Sequence, residues 1–296
     1  MTGREGWATQ RETSGAAPAG GAAPDLPSRR LRTPDGTTEM DDTRVDEVAD
    51  GIYRISTYLP HAVDGRGLTV NQFLVLADEP LLFHTGLRAG FPATVAAVAR
   101  LVPLDRLRWL SFGHVEADEC GAMNEYLAAA PHLEVAFGEL GCQVSVADLA
   151  DRPPRALAPG EAIDLGGRRV VVVPTPHAPH NQEAQVLFEE TTGTLLCGDL
   201  FTQLGQGRAV TTACLAEQVL EAEDRMRTAP PGSAVPDALD ALARLAPRTL
   251  AVMHGSSFEG DGGVALRELA RAWRVRRPDG AAAAAAASVA VARPVP

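Results

Sequence analysis

The sequence predicts an α/β protein, and three observations support this fold class. Short runs rich in β-branched and aromatic residues follow one another early in the folded region. Runs with helical periodicity then alternate with further apolar runs. Several apolar runs end directly in a histidine or a carboxylate. Because α/β sheets bind ligands beyond the C-terminal ends of their strands, the third observation also predicts where a functional site lies.

The first half of the folded region begins as a β-meander and continues as alternating strands and helices. Its predicted elements are strands at 52–56, 71–76 and 81–86, a helix at 93–101, a strand at 107–110, a helix at 122–130, a strand at 133–137 and a helix at 144–149. The run Leu107-Arg108-Trp109-Leu110 is mostly apolar, which indicates a buried strand. This strand leads directly into the densest cluster of chelating residues in the chain.

The second half contains two predicted hairpins and three predicted helices. Its elements are a hairpin of 162–165 with 169–173, a hairpin of 185–189 with 194–197, helices at 216–227 and 236–245, a strand at 249–253 and a helix at 263–275. The dipeptide Gly166-Gly167 favours the positive φ angles of a tight hairpin turn. Each hairpin is followed by a histidine or an aspartate that could bind a ligand.

Composition excludes several classes of function. The chain has 296 residues, 45% of them hydrophobic, which is enough for one large core. A formal net charge of -11 disfavours nucleic acid and anionic membranes as partners. Four cysteines without CxxC spacing indicate reduced thiols, and no apolar run approaches the roughly 20 residues that span a bilayer. We therefore expect a cytoplasmic protein that binds neither nucleic acid nor membrane.

Both ends of the chain are predicted to be disordered tails. Residues 1–44 are rich in Gly, Ala, Pro and charge and have no periodic apolar pattern. Residues 277–296 contain an alanine run and a Pro-ended segment without an amphipathic face. The predicted folded domain therefore comprises residues 45–276.

The motif after the strand at 107–110 brings one imidazole and several carboxylates together. His114, Glu116, Asp118 and Glu119 lie within six residues. Adjacent carboxylates repel one another, so a metal cation is a natural compensating charge. The alternative is an acidic turn that is simply solvated, because short clusters of this kind are common on surfaces.

Three further strand ends supply chelating residues and favour the metal interpretation. His180 and Asp199 follow strands of the two hairpins, and His254 follows the strand at 249–253. Six nitrogen and oxygen ligands from separate loops suit a site for two metal ions. His177 competes with His180 for the same ligand position, and the one that does not bind metal would line the pocket or orient a ligand.

These residues together resemble the metallo-β-lactamase superfamily, whose pattern is H-x-H-x-D-H followed by His, Asp and His. The segments Asn71–Val75 and Leu81–Gly86 resemble its opening, and Met253-His254-Gly255-Ser256 resembles its closing motif. The H-x-E-x-D variant, with 18 residues between His180 and Asp199, resembles the oxygen-binding di-iron domain of flavodiiron proteins, without the flavodoxin domain. The resemblance implies a four-layer αββα sandwich over residues 45–276.

The resemblance also implies a ligand set. It assigns His114, Glu116 and His180 to one metal and Asp118 and His254 to the other, with Asp199 bridging them. Two metal ions are expected. Replacement of an imidazole by Glu makes the site harder and more anionic, which favours iron, while zinc and manganese stay compatible.

Besides Glu116, two residues depart from the superfamily pattern. Glu119 stands where histidine is usual, so it either binds metal as a carboxylate or points away and leaves a position open. His84 stands where the superfamily has the aspartate of its D-T-G motif. The groups that orient the ligands must therefore differ in this chain.

Three functions are compatible with this site. The first is binding or reduction of dioxygen or nitric oxide, with electrons from a separate flavin or iron–sulfur protein. The second is metal-dependent hydrolysis of an ester, thioester or lactam by a metal-bridging water. The third is a non-catalytic sensor. The expected ligand is thus a small-molecule substrate or a diatomic gas, and a homodimer is compatible with the sequence.

Overall fold

A computed structural model describes residues 43–230 and 232–277 and shows two mixed seven-stranded sheets. The strands of the first sheet, in spatial order, are β1 Arg44–Ala49, β2 Ile52–Leu59, β3 Leu68–Val75, β4 Leu81–Phe83, β5 Trp109–Ser111, β6 Glu134–Gly138 and β7 Arg155–Leu157. The strands of the second are β8 Ala162–Asp164, β9 Arg169–Pro174, β10 Gln185–Glu189, β11 Thr194–Leu196, β12 Val210–Thr211, β13 Thr249–Ala251 and β14 Ser257–Glu259. The order in the second sheet is β12-β14-β13-β11-β10-β9-β8.

The described residues contain nine helices, and the longer ones cover the outer faces of the two sheets. The nine helices are α1 Ala62–Gly65, α2 Phe91–Leu101, α3 Ala117–Cys120, α4 Met123–Ala129, α5 Glu139–Gly141, α6 Ala147–Leu149, α7 Ala216–Met226, α8 Val235–Leu242 and α9 Gly262–Arg276. Short 3-10 turns occur at Arg88–Gly90, Leu104–Arg106 and Ala243–Leu245, and a π-helical turn at Cys142–Val146. Within the described ranges, no helix is long and apolar enough to cross a bilayer.

Both sheets change from antiparallel to parallel pairing where the site is built. Strands β1 to β4 form an antiparallel meander, and β4, β5, β6 and β7 then pair in parallel. In the second sheet, β8 to β11 are antiparallel, whereas β11 and β13 are parallel. The C-terminal ends of the parallel strands in each sheet therefore lie at a common edge, and their connecting segments meet there.

Alternation along the central strands divides the interior into three apolar layers. Phe73 and Trp109 point between the two sheets, where they pack with Val172 and Leu187 of the second sheet. Leu110, on the other face of β5, packs against the helices that cover the first sheet. A third cluster joins the second sheet to α7, α8 and α9. This arrangement confirms the predicted αββα sandwich.

Most predicted elements are found, with shifts at their ends. The strand predicted at 107–110 is observed at Trp109–Ser111, and the segment predicted as a helix at 144–149 begins as the π-helical turn. Both hairpins are present. The predicted tails fall outside the described residues apart from positions 43, 44 and 277, and Arg44 is the first residue of β1.

Candidate metal centre

The six predicted ligands meet at one end of the sandwich, and each sheet contributes half of them. His114, Glu116 and Asp118 follow β5 of the first sheet. The other three come from segments that follow β9, β11 and β13 of the second sheet, namely His180, Asp199 and His254. The site therefore lies across the boundary between the two layers.

One group of four residues has the spacing of a metal site. Single ligand atoms of His114, Glu116, His180 and Asp199 all lie within 4.8 Å of one another. Nε2 of His114 is 2.8 Å from Oε2 of Glu116, and Nε2 of His180 is 3.3 Å from Oδ2 of Asp199. The two imidazole rings meet edge to face, with centroids 4.4 Å apart. We call these four residues the first half of the centre.

Asp199 connects this group to a second one. Its Oδ1 atom lies 3.2 Å from Nε2 of His254, while Oδ2 faces the first half. Nε2 of His254 is also 3.3 Å from Oδ2 of Asp118. Asp118, His254 and the shared Asp199 form the second half. The two oxygens of Asp199 thus face different halves, as a bridging carboxylate requires.

The three histidines all direct Nε2 towards the centre, because a protein group contacts Nδ1 of each ring. Nδ1 of His254 is 2.6 Å from the carbonyl oxygen of Thr69, and Nδ1 of His180 is 3.1 Å from Oδ1 of Asn181. Nδ1 of His114 is 3.2 Å from Oε1 of Glu119. Contacts of this kind fix the tautomer and orientation of metal-binding imidazoles.

Carboxylates dominate the electrostatics of the site. Burial alone would lower the pKa of His114, but Glu119 and Glu116 raise this pKa to about 12. Burial likewise opposes the contacts with Asp118 and Asp199, which raise the pKa of His254 well above its ordinary value. Burial alone would raise the pKa of Asp199, but the adjacent imidazoles of His180 and His254 hold this pKa well below its usual range. The site is therefore an environment that favours additional positive charge.

Unsatisfied oxygens show that a cation fits this donor set. Oδ1 of Asp118 and Oδ1 of Asp199 are buried and have no hydrogen-bond partner of good geometry among the described residues. A buried carboxylate oxygen without a partner is costly, and a metal ion would satisfy both atoms. Imidazole nitrogens and carboxylate oxygens together are typical ligands of iron, manganese and zinc.

The centre is open on one side. The side chain of Glu116 is 50% exposed, whereas those of Asp199 and His254 are 8% and 2% exposed. A small molecule would therefore reach the site from the side of Glu116, while Asp199 lies at its base.

His177 and Glu119 do not join the ligand cluster. His177 is exposed, with a φ angle of 59°, and its backbone N–H donates to the carbonyl of Asn181. This geometry supports His180 as the ligand at that position. Glu119 is fully buried and contacts Nδ1 and the backbone N–H of His114, on the side of this residue away from the centre. Of the two alternatives for Glu119, binding a metal or pointing away from it, the structure favours the second. His84 is also buried, beside Glu119.

The sequence reasoning missed the residues that hold the ligands in place. Thr69 accepts from the backbone N–H of Gly255 through Oγ1, at 2.6 Å, in addition to its contact with His254. Nδ2 of Asn71 donates to the carbonyls of Val252 and Gly255 at 2.8 and 3.1 Å. The only signal in the sequence is polar residues inside an otherwise apolar strand, which indicates a buried polar contact without identifying its partner.

Comparisons with known proteins agree with the fold described above. Hydroxyacylglutathione hydrolase of Acidiphilium cryptum is 32% identical over 153 residues, which is 50% of this chain and 59% of that protein. Rubredoxin oxygen:oxidoreductase of the anaerobe Desulfovibrio gigas superposes with a TM-score of 0.66 at 20% identity, covering 77% of this chain and 62% of that one. The metal-soaked flavodiiron core of Flv1 from Synechocystis sp. superposes with a TM-score of 0.68 at 21% identity, covering 79% and 60%.

This chain spans less than two thirds of each of these three proteins, and the structural similarities show the fold. Residues 68–255, which include all six predicted ligands, match the family described as ODP family beta lactamase. The resemblance inferred from the sequence is therefore confirmed, and the chain belongs to the ODP family of the metallo-β-lactamase fold.

Proposed function

We propose that this protein binds two metal ions, preferentially iron, and that it binds or reduces dioxygen or nitric oxide with electrons from a separate donor protein. The observation that supports this most directly is the position of Glu116. Its carboxylate contributes to the first half at a place where the superfamily pattern has a histidine, 2.8 Å from Nε2 of His114. A more anionic and harder donor set favours iron over zinc.

The residues of the two halves have distinct roles in this proposal. His114, Glu116 and His180 would hold one ion, Asp118 and His254 the other, and Asp199 both. Two iron ions, when bound, supply electrons and a binding position for a diatomic ligand. The chain itself fixes the direction of three imidazoles through Thr69, Asn181 and Glu119, and it buries Asp199 away from bulk water.

The second half has room for an exogenous ligand because Glu119 does not contribute to it. Asp118, His254 and the shared Asp199 are its protein donors among the described residues. Fewer protein donors leave more of the coordination sphere available to a small ligand, as catalytic metal sites generally require.

The electron donor in this proposal is a separate flavin or iron–sulfur protein. The chain covers 62% of rubredoxin oxygen:oxidoreductase, so the rest of that protein has no counterpart in this comparison. Two iron ions alone store few electrons. Repeated reduction of dioxygen therefore needs a continuous supply of electrons from a donor.

A second candidate function is hydrolysis of an ester, thioester or lactam by water activated at the same centre. The specific observation that favours it is the 32% identity to a hydroxyacylglutathione hydrolase. Glu116 argues against it, because zinc prefers imidazole more strongly than iron does.

Metal analysis combined with two activity assays tests the proposal. The protein is expressed in medium that contains both iron and zinc and is purified without chelators. We expect about two iron ions per chain, oxygen consumption with a reduced artificial donor, and no hydrolysis of a glutathione thioester. Zinc at the same stoichiometry together with thioester hydrolysis would establish the second candidate instead. Protein that binds neither metal would contradict both.

A further inference from the structure

Glu119 is the most deeply buried carboxylate around the centre, and it faces one ligand. Its side chain has no exposed surface. Oε2 accepts a hydrogen bond from the backbone N–H of His114 at 2.6 Å, and Oε1 lies 3.2 Å from Nδ1 of the same residue. Asp118, its neighbour in α3, points instead to His254. Successive helical residues point in different directions, so one short turn supplies both a donor for the second half and a contact for the first.

Two glycines form a cradle for this carboxylate. A Cβ atom at Gly113 would lie 3.0 Å from both carboxylate oxygens of Glu119 and 3.2 Å from Cα of Gly198. A Cβ atom at Gly198 would lie 3.4 Å from Oε1. Each glycine directly precedes a predicted ligand, His114 or Asp199. The backbone on both sides is thus shaped to admit a carboxylate at this position.

His84 contacts the same carboxylate oxygen as His114. Its Nε2 atom is 3.4 Å from Oε1 of Glu119, a close contact without the alignment of a hydrogen bond, and its side chain is likewise fully buried. Nδ1 of His84 is 3.2 Å from the carbonyl of Asn71, and its φ angle of 70° is unusual for a residue with a side chain. The next residue, Thr85, binds the carbonyl of Glu119 through both its backbone N–H and its hydroxyl, at 2.7 and 3.1 Å. The two segments are therefore joined by backbone as well as side-chain contacts.

We propose that Glu119 and His84 form a buried positioning pair for His114. Glu119 fixes the Nδ1 side of the His114 ring and the backbone N–H of that residue, and His84 fixes Glu119. Apart from Glu116, these are the positions at which the chain departs from the superfamily pattern, and the fold brings them into contact. The Glu119 carboxylate and the His84 imidazole are thus buried side by side next to His114. The inference rests on the proposed metal-binding role of His114.

The test uses zinc affinity and a spectroscopic signal, neither of which depends on enzymatic activity. Glu119→Gln keeps the size of the side chain and removes its charge. We expect the zinc affinity of the first half, measured by chelator competition, to fall about 10- to 100-fold, the usual effect of losing a group that orients a ligand. In cobalt(II)-loaded protein, the exchangeable Nδ1–H resonance of His114 should shift while those of His180 and His254 stay in place.

His84→Gln and the double variant test whether the two residues act as a unit. We expect His84→Gln alone to weaken zinc binding and the double variant to bind zinc no more weakly than Glu119→Gln, because residues that act together are not additive. Glu189→Gln is the matched control. Glu189 is equally buried and accepts hydrogen bonds from the backbone N–H groups of Thr191 and Thr192 in the turn between β10 and β11, so its substitution should leave the affinity within about twofold.

Each outcome decides a different question. Wild-type protein that binds neither zinc nor cobalt would overturn the proposed metal function. Wild-type binding with an unchanged affinity and His114 resonance in Glu119→Gln would overturn the positioning role and leave the metal function intact. Additive effects of the two substitutions would remove His84 from the pair.

Discussion

The two halves of the centre share Asp199 but differ in their supply of donors and in their surroundings. The first half combines two imidazoles with Glu116 and Asp199, and Glu119 supports it from behind. The second half combines one imidazole with two carboxylates, and its histidine is held by a backbone carbonyl. The neighbouring residues Asp118 and Glu119 thus have different roles. Asp118 faces the proposed metal position of the second half, whereas Glu119 contacts the predicted metal ligand His114.

The number of chelating residues in a sequence motif therefore does not give the number of residues that face the metal centre. Residues 114–119 contain four groups able to bind metal, and the fold directs three of them to the centre and one to its support. We expect the first half to bind metal more tightly, because it has more protein donors and a better-fixed imidazole.

The largest effect is expected for Asp199→Ala, because both halves lose a donor together. We expect metal content to fall to near zero for both ions, measured by mass spectrometry of the purified protein. Asp105→Ala, at an exposed aspartate, is the control and should retain both metals. One full equivalent of metal in Asp199→Ala would show that this carboxylate is not shared.

A comparison of His180→Ala with His254→Ala separates the halves. His254→Ala removes the only imidazole of the second half, so we expect about one equivalent of metal, retained by the first half. His180→Ala should weaken the first half and lower the content of the tighter site. His177→Ala is the matched control for His180→Ala, since His177 is exposed nearby, and it should retain both metals. Equal losses in His180→Ala and His254→Ala would contradict unequal halves.

A moderate change in metal preference is expected for Glu116→His. This substitution restores the H-x-H-x-D pattern and replaces a carboxylate by an imidazole in the first half. The zinc-to-iron ratio of protein expressed with both metals should rise severalfold, while oxygen consumption with an artificial donor should fall. Because the side chain of Glu116 is half exposed, the fold should tolerate the change. Glu190→His, in the turn that follows β10, is the control. An unchanged ratio in Glu116→His would remove the main support for iron.

The smallest effects are expected at the two cradle glycines. Gly198 has a φ angle of 52°, so Gly198→Ala should cost about 1 kcal/mol of the free energy of unfolding through backbone strain. Gly113→Ala should act mainly by displacing the Glu119 carboxylate, and so should weaken metal binding in the first half more than it lowers stability. Denaturant unfolding and chelator competition on both variants measure the two quantities. A loss of stability without a change in affinity for Gly113→Ala would argue against the cradle.

Much of the fold can be predicted from the pattern of apolar residues in the sequence. The strands that cannot be predicted in this way lie mostly at the edges of the sheets. Central strands such as β3 and β5 are buried on both faces and consist mostly of apolar residues, so they are evident in the sequence. The strands β1, β7, β12 and β14 were not predicted. The first three are edge strands with polar or exposed positions, and β14 is a three-residue strand beside the edge strand β12. A strand that buries little apolar surface has no strong pattern, so its pairing partner decides its conformation.

The site shows the same division between local and non-local information. His114, Glu116, Asp118, His180, Asp199 and His254 each follow an apolar run, so their convergence could be predicted as ligands at strand ends. The direction of Glu119 could not, because it depends on the space beside Gly113 and Gly198, which are 85 residues apart in the sequence. The contact of His84 with Glu119 likewise joins separate segments, and residue identity alone carries no information about it.

The contacts of β3 with the His254 segment have a further consequence. Thr69 and Asn71 belong to the first sheet, and they bind backbone and ring atoms of residues 252–255, which follow β13 of the second sheet. Metal binding and cohesion of the two layers are therefore thermodynamically linked, since separation of the layers would pull the ligand set apart. Bound metal should slow amide hydrogen exchange in β3, which contributes no metal ligand of its own, and chelation should speed it. With the proposed metal ions bound, the resistance of this sandwich to opening would depend on metal concentration.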